Sequence, residues 1–159
     1  MTGRLLFLAL LAFPSLPVLF GQTLHFAPAS APPGGSVEIQ ISLKSPKGKE
    51  PSTLQWQTTI PLANVGTLEE TDPGPAAKAA GKAVSCAVRS KTTETYTTRC
   101  ILFGGQDSVN DGVIAILKLK IAPDAPRGPF RIRVDEALAV YKDLKRVPID
   151  PTETTVTVK

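Results

Sequence analysis

Apolar and polar side chains alternate along most of the chain after residue 22. In the run from Ser36 to Lys44, every second residue is Val, Ile or Leu, and the residues between them are polar. Successive side chains of a β-strand point to opposite faces of the sheet, so this run predicts a strand with one buried and one wet face. Comparable short runs occupy residues 23–27, 53–60, 65–69, 84–88, 96–103, 113–121, 130–134 and 154–159.

Turn-forming residues separate these runs. Proline and glycine fill much of residues 28–35, and a loop rich in Pro, Gly and Ala covers residues 71–82, with room for one helical turn at Ala76–Ala80. Asp111 and Gly112 mark a tight turn before the long apolar run that follows. Eight or nine short strands in a chain of this size predict two packed antiparallel sheets, a sandwich or a jelly roll.

The beginning of the chain predicts export. Arg4 precedes an uncharged apolar run, Leu5–Phe20, as in a secretory signal peptide. The run is shorter than the about 20 residues that a spanning helix needs, and two prolines interrupt it. We therefore expect a signal peptide at 1–21 and a single domain at 22–159, secreted or held in the periplasm or cell envelope, with no membrane span after cleavage. The alternative is that this segment is not cleaved and remains as a membrane anchor.

The charge and the cysteines narrow the choice of partner and compartment. The formal net charge is +4, and acidic residues lie between the scattered lysines and arginines, which excludes a nucleic-acid footprint. Cys86 and Cys100 are the only cysteines. In an oxidising compartment an even pair is expected to form a disulfide, the alternative being two free buried thiols.

The residue types needed for catalysis are sparse. His25 is the only histidine, and the chain has no Gly-x-Ser-x-Gly segment that would present a serine nucleophile. The carboxylates fall in turns or at strand ends, where solvated side chains are the ordinary expectation. The segment 107–112 fails as a calcium loop, because Val109 and Lys118 stand where the EF-hand pattern needs oxygen donors. We therefore expect no enzyme activity, no metal and no cofactor.

Three segments carry a resemblance to a known family. The block Asp111–Lys120, followed by Ala125–Gly128 and Phe130–Ile132, resembles the second half of cohesin domains. Pro33–Val37 is similar to the opening of that family, and Leu54–Trp56 to its third strand. The resemblance extends from about Leu24 to the C-terminus. It implies a nine-stranded (eight to nine) antiparallel β-sandwich with jelly-roll topology, related to bacterial carbohydrate-binding modules.

The resemblance also implies a function. Cohesins bind dockerin modules on a flat sheet face and so assemble polysaccharide-degrading enzymes, which makes a dockerin-like protein the expected partner. This chain departs from that setting because it is a single module and carries a cysteine pair that is unusual for the family. Two other hypotheses remain: a carbohydrate-binding module, with polysaccharide as its ligand, and a structural envelope or secretion-associated domain.

The run 113–121 suggests where a partner binds. Ile114 and Ile116 lie out of phase with the inward residues of that run, in line with Lys118 and Lys120. An apolar centre with a polar rim is typical of protein interfaces. These four residues are the candidate partner-binding site, unless neighbouring loops cover them. Trp56, by contrast, is in phase with Leu54 and Ile60 and is expected in the core, which weakens the case for a sugar-stacking platform.

Overall fold

The computed structural model describes residues 21–159 and is almost entirely β-structure. The predicted signal peptide lies outside the described residues, apart from Gly21. Within these residues, eleven strands and one short helix follow one another: β1 (Thr23–Phe26), β2 (Ala29–Ala31), β3 (Ser36–Lys44), β4 (Thr53–Pro61), β5 (Val65–Pro73), α1 (Pro75–Ala79), β6 (Ala83–Lys91), β7 (Thr95–Phe103), β8 (Gly112–Ile121), β9 (Gly128–Val140), β10 (Arg146–Ile149) and β11 (Thr152–Val158).

The strands form two sheets that pack face to face. The smaller sheet has the order β1-β3-β8-β5, and the larger has the order β2-β11-β9-β4-β7-β6, with β10 paired to β9. All pairings are antiparallel except that of β2 with β11. The predicted all-β jelly-roll sandwich is confirmed.

The strand count exceeds the predicted eight to nine for two local reasons. Pro28 lacks the backbone N–H that a ladder needs, and the chain changes sheets there: Phe26 pairs with β3, whereas Ala29 pairs with β11. The second reason is β10, which returns along the end of β9. Its sequence Arg-Val-Pro-Ile offers too short an alternation to predict a strand.

The core lies between the two sheets and contains the apolar half of the alternating pattern. Its largest fully buried side chain is Trp56, as predicted. The inward residues of β3 and β8, in the smaller sheet, face Trp56 across the core. The inward residues of β4, β7 and β9 line the same core from the larger sheet, to which Trp56 belongs. Burying each large apolar side chain contributes roughly 1.5–3 kcal/mol, which makes this layer the main source of stability.

Register shifts interrupt the strand pairing at several places within residues 21–159, and two of them matter for the functional candidates. In β8, Ile41 pairs with Ala115 and Ser42 with Val113, which leaves Ile114 as an extra residue. In β9, Gln55 pairs with Leu138 and Gln57 with Asp135, so two residues of β9 oppose Trp56. A bulge shifts the phase of the side chains and re-aims them. Both bulges affect the residues considered below as functional candidates.

A disulfide joins Cys86 to Cys100 on the neighbouring strands β6 and β7. This is the pairing expected from the sequence. Helix α1 is a single turn that connects β5 to β6 and buries Ala77 against the core. Among residues 21–159, no helix is long and apolar enough to cross a membrane.

Candidate functional site

The four residues proposed from the sequence do not form one surface. Ile114 is fully buried, so its assignment to an exposed partner-binding face is wrong. The cause is the bulge in β8, which brings Ile114 and Ala115 to the core together instead of placing Ile114 in line with Ile116. Ile116 and Lys118 are half-buried on the outer face of the smaller sheet, and Lys120 is exposed there.

Polar and charged neighbours surround these three residues. Lys118 Nζ lies 2.7 Å from Asp72 Oδ2, and Glu38 and Glu70 are its direct neighbours on the adjoining strands. The hydrogen bond from Lys118 lowers the pKa of Asp72, and the same bond raises the pKa of Lys118. Ile116 lies between Gln40 and Asp72. The outer face of the smaller sheet is therefore polar and locally neutralised, with no exposed apolar centre among the described residues.

The outer face of the larger sheet has a different character. In β7, Cys100 and Leu102 point into the core, while Ile101 and Phe103 point outward and are 41% and 44% exposed. In β9, Leu138 and Val140 alternate in the same way with buried alanines and are half-buried. These four side chains define what we call the apolar half of the outer face.

Strand pairing brings the apolar half together across three strands. Gln55 of β4 lies between Leu138 and Ile101, which form one row across the sheet. Thr53 pairs with Val140 and donates a hydrogen bond from its hydroxyl to the carbonyl of Leu102. On the far side, Ala83 of β6 is opposite Phe103. The result is a shallow apolar surface with small or uncharged residues between the larger side chains.

A row of hydrogen-bonded polar residues borders the apolar half. Gln57 Nε2 donates to Asp135 Oδ1 at 3.2 Å, and Arg99 donates to Gln57 Oε1 at 3.4 Å. Arg99 also pairs with Glu136, and Arg133 Nε lies 3.4 Å from Asp135 Oδ2. We call these five residues the polar row. Because each charged group has a partner of opposite sign, the row fixes the position of several donors and acceptors on the surface.

The backbone at Glu136 is unusual. Its φ angle is +45°, a left-handed backbone conformation that residues other than Gly, Asn and Asp seldom adopt. This conformation belongs to the bulge opposite Trp56, and it aims the carboxylate of Glu136 at Arg99. Strained backbone of this kind is concentrated at functional positions.

In the described part of the chain, the histidine and the carboxylates of the polar row lie on different sheets. His25 is exposed on β1, in the smaller sheet, whereas Asp135 and Glu136 are engaged with arginines on the larger one. Within residues 21–159, no three His, Cys, Asp or Glu side chains cluster as metal ligands. Asp111 accepts a hydrogen bond from the backbone N–H of Ser45 at 2.7 Å, a contact between distant segments that ties the loop before β8 to the end of β3 and is not the hydrogen bond of the tight turn predicted there.

The four residues predicted from the sequence do not include the apolar half, although the sequence carries a signal for it. The run 100–103 reads Cys-Ile-Leu-Phe, which is apolar on both faces of the strand, and the run 137–140 reads Ala-Leu-Ala-Val. A strand that is covered on one side only is expected to alternate with polar residues. The loss of alternation at these two places indicates that the outward face is apolar as well as the inward one.

The fold has well-defined relatives among solved structures. No protein-family model and no curated protein sequence matches the chain. The sixth cohesin of scaffoldin B from Acetivibrio cellulolyticus, solved in complex with a Cel5 dockerin mutant, superposes with a TM-score of 0.66 at 20% identity, covering 87% of this chain and 99% of the cohesin. The third cohesin of ScaC from the same organism, in complex with the ScaB dockerin, gives 0.68 at 15% identity, covering 86% and 98%.

A relative from outside the cellulosome has the same architecture. The non-cellulosomal cohesin of the hyperthermophilic archaeon Archaeoglobus fulgidus superposes with a TM-score of 0.63 at 11% identity, covering 87% of this chain and 91% of that cohesin. The protein is thus a jelly-roll β-sandwich of one domain's size. More specifically, its fold is cohesin-like, so the resemblance inferred from the sequence is confirmed at the level of the fold.

Proposed function

We propose that this protein is an exported, non-catalytic binding module whose protein partner docks on the outer face of the larger sheet. The observation that carries the proposal is the exposure of Ile101 and Phe103 on the same outward face of β7. Interfaces typically combine a central apolar patch with a polar rim. The apolar half and the polar row together provide that combination, and the outer face of the smaller sheet does not.

The proposed partner is a dockerin-like module. Support comes from the solved cohesins of similar fold, several of which are bound to dockerins. The predicted signal peptide and the disulfide support an extracellular or envelope location, where such a module would bring a partner to polysaccharide or to the cell surface.

Binding measurements on surface variants test the proposal. The variants Ile101→Asp and Phe103→Asp place a charge in the apolar half, and Ile116→Asp places the same charge on the smaller sheet as a matched control. We expect the first two to weaken binding to an immobilised dockerin module at least about 30-fold, as for an interface hot spot, and the control to bind like the parent. Thermal unfolding of each variant checks that the fold persists.

The other outcomes are equally informative. Unchanged affinity of both β7 variants, or loss of binding by Ile116→Asp alone, would contradict the assignment of this face. A dockerin panel that shows no binding to the parent protein would reject the dockerin-like partner. Retarded migration in gels that contain cellulose or xylan derivatives would instead favour the carbohydrate-binding alternative.

A further inference from the structure

Strand β6 is attached to the sandwich more weakly than its length suggests. It is the edge strand of the larger sheet, so only its β7 side has a hydrogen-bonded neighbour. None of its nine residues is buried, and only Val84 and Cys86 contact the core. An edge strand with so little buried apolar surface has little to offset the entropy lost when it becomes ordered.

The disulfide compensates for this weak attachment. Cys86 lies directly opposite Cys100, which is buried in β7 and has Trp56 on its other side. The bond therefore ties an exposed edge strand to the middle of the sheet. The fully buried side chains of the core belong to the other strands, to α1 and to the loops, so β6 contributes only the partly buried Val84 and Cys86.

We propose that the Cys86–Cys100 disulfide is a redox-controlled latch, opened by a dithiol reductant that attacks Cys86, and that its opening releases β6 while the rest of the sandwich stays folded. Cys86 is partly exposed, whereas Cys100 is 2% exposed, so an incoming thiolate reaches the Cys86 sulfur first.

The exchange reaction balances in two steps. The reductant thiolate forms a bond to Cys86 Sγ, the protein S–S bond breaks, and Cys100 leaves as a thiolate that takes up a proton. The second thiol of the reductant, as its thiolate, then attacks the reductant's first sulfur in the mixed disulfide, the bond to Cys86 Sγ breaks, and Cys86 leaves as a thiolate that takes up a proton. The protein gains two electrons and two protons, and the dithiol becomes a disulfide.

Release of β6 would also change the proposed binding surface. Ala83 and Ser85 of β6 lie opposite Phe103 and Ile101, so the strand borders the apolar half. This consequence for partner binding rests on the proposed function, whereas the release of β6 itself does not.

Hydrogen exchange without any partner tests the latch. The full mature protein is compared before and after treatment with dithiothreitol, together with the untreated double variant Cys86→Ser, Cys100→Ser. We expect amide protection in β6 to fall at least about tenfold in the reduced protein and in the variant, while β3 and β8 keep theirs. Unchanged protection of β6, or loss of protection throughout the chain, would overturn the proposal.

A trapping experiment tests the site of attack. Brief exposure to glutathione, followed by acid quenching and peptide mass analysis, identifies the cysteine that carries the mixed disulfide. An adduct on Cys86 supports the proposed direction of attack, and an adduct on Cys100 or on neither contradicts it. Since neither experiment contains a partner, their failure is distinguishable from failure of the proposed function.

Discussion

Lys82 shows how a buried charge is accommodated at the end of the larger sheet, next to strands β6 and β7. Its side chain is 6% exposed, and Nζ donates to the carbonyls of Gly104 and Gly105 at 2.6 and 3.0 Å. Both glycines have positive φ angles, which turn the chain sharply after Phe103. Burial lowers the pKa of Lys82, because leaving water disfavours the charged form. The lysine therefore serves to hold a tight turn.

Removal of that ammonium group should destabilise the protein. In Lys82→Met the stem of the side chain is kept, but two carbonyl oxygens lose their donor, and we expect a loss of about 1–3 kcal/mol in the free energy of unfolding. Denaturant unfolding measures it. Lys78→Met, at an exposed position of α1, is the matched control and should change little. Equal effects of the two substitutions would argue against a structural role for Lys82.

The pair of Asp72 with Lys118 predicts a pH-dependent contribution to stability. The hydrogen bond from Lys118 holds the pKa of Asp72 below its ordinary value of 3.8, so the folded state favours the carboxylate. The stabilisation from this pair is fully present at pH values above the ordinary pKa of an aspartate. It is lost as the pH falls through the lowered pKa of Asp72.

Asp72→Asn should accordingly lower the melting temperature slightly at about pH 7 and have less effect at about pH 2. Both side chains are about one-third exposed, so about 1 M salt should also reduce the difference. If Asp72→Asn lowers the melting temperature by the same amount at both pH values, the substitution acts through packing and not through charge.

At the scale of elements, alternation predicts a strand best where one face is buried and the other is wet. The central strands β3 and β4 fulfil this condition and were predicted almost to their ends. Strands β5 and β6 are longer than predicted, because backbone pairing with a neighbour extends them through polar sequence. Strand β9 continues past Val134 and the bulge into the apolar run 137–140, where it pairs with β4 and β10. The bulge at Ile114 could not be predicted, because it depends on the register between β3 and β8.

The second bulge supports a prediction about Glu136. A β-branched residue is strained at φ +45°, so we expect Glu136→Val to destabilise the protein by about 1–2 kcal/mol more than Glu153→Val. Glu153 is a matched control, since it is exposed in β11 and pairs with Arg131 at 3.0 Å. The free energy of unfolding of each variant is measured in denaturant, and the difference between the two losses gives the cost of the backbone conformation at Glu136. Equal losses would indicate that Glu136 is unstrained.

At the scale of the whole molecule, the two outer faces differ in a way that alternation alone could not reveal. The smaller sheet presents polar residues outward, while the larger sheet is apolar on both faces along part of β7 and β9. In such runs the pattern does not say which side is covered. That side is fixed only when the sheets pack, with Leu102 inside and Phe103 outside.

The central claim is that a protein partner covers the apolar half and the polar row. The most direct measurement is a titration of isotope-labelled protein with a dockerin module, followed through its backbone amide resonances. We expect the largest shifts at Gln55, Arg99, Ile101 and Phe103, with β3 and β8 almost unaffected. Shifts confined to Glu38, Ile116 and Lys118, or no shift with any dockerin module, would contradict this account.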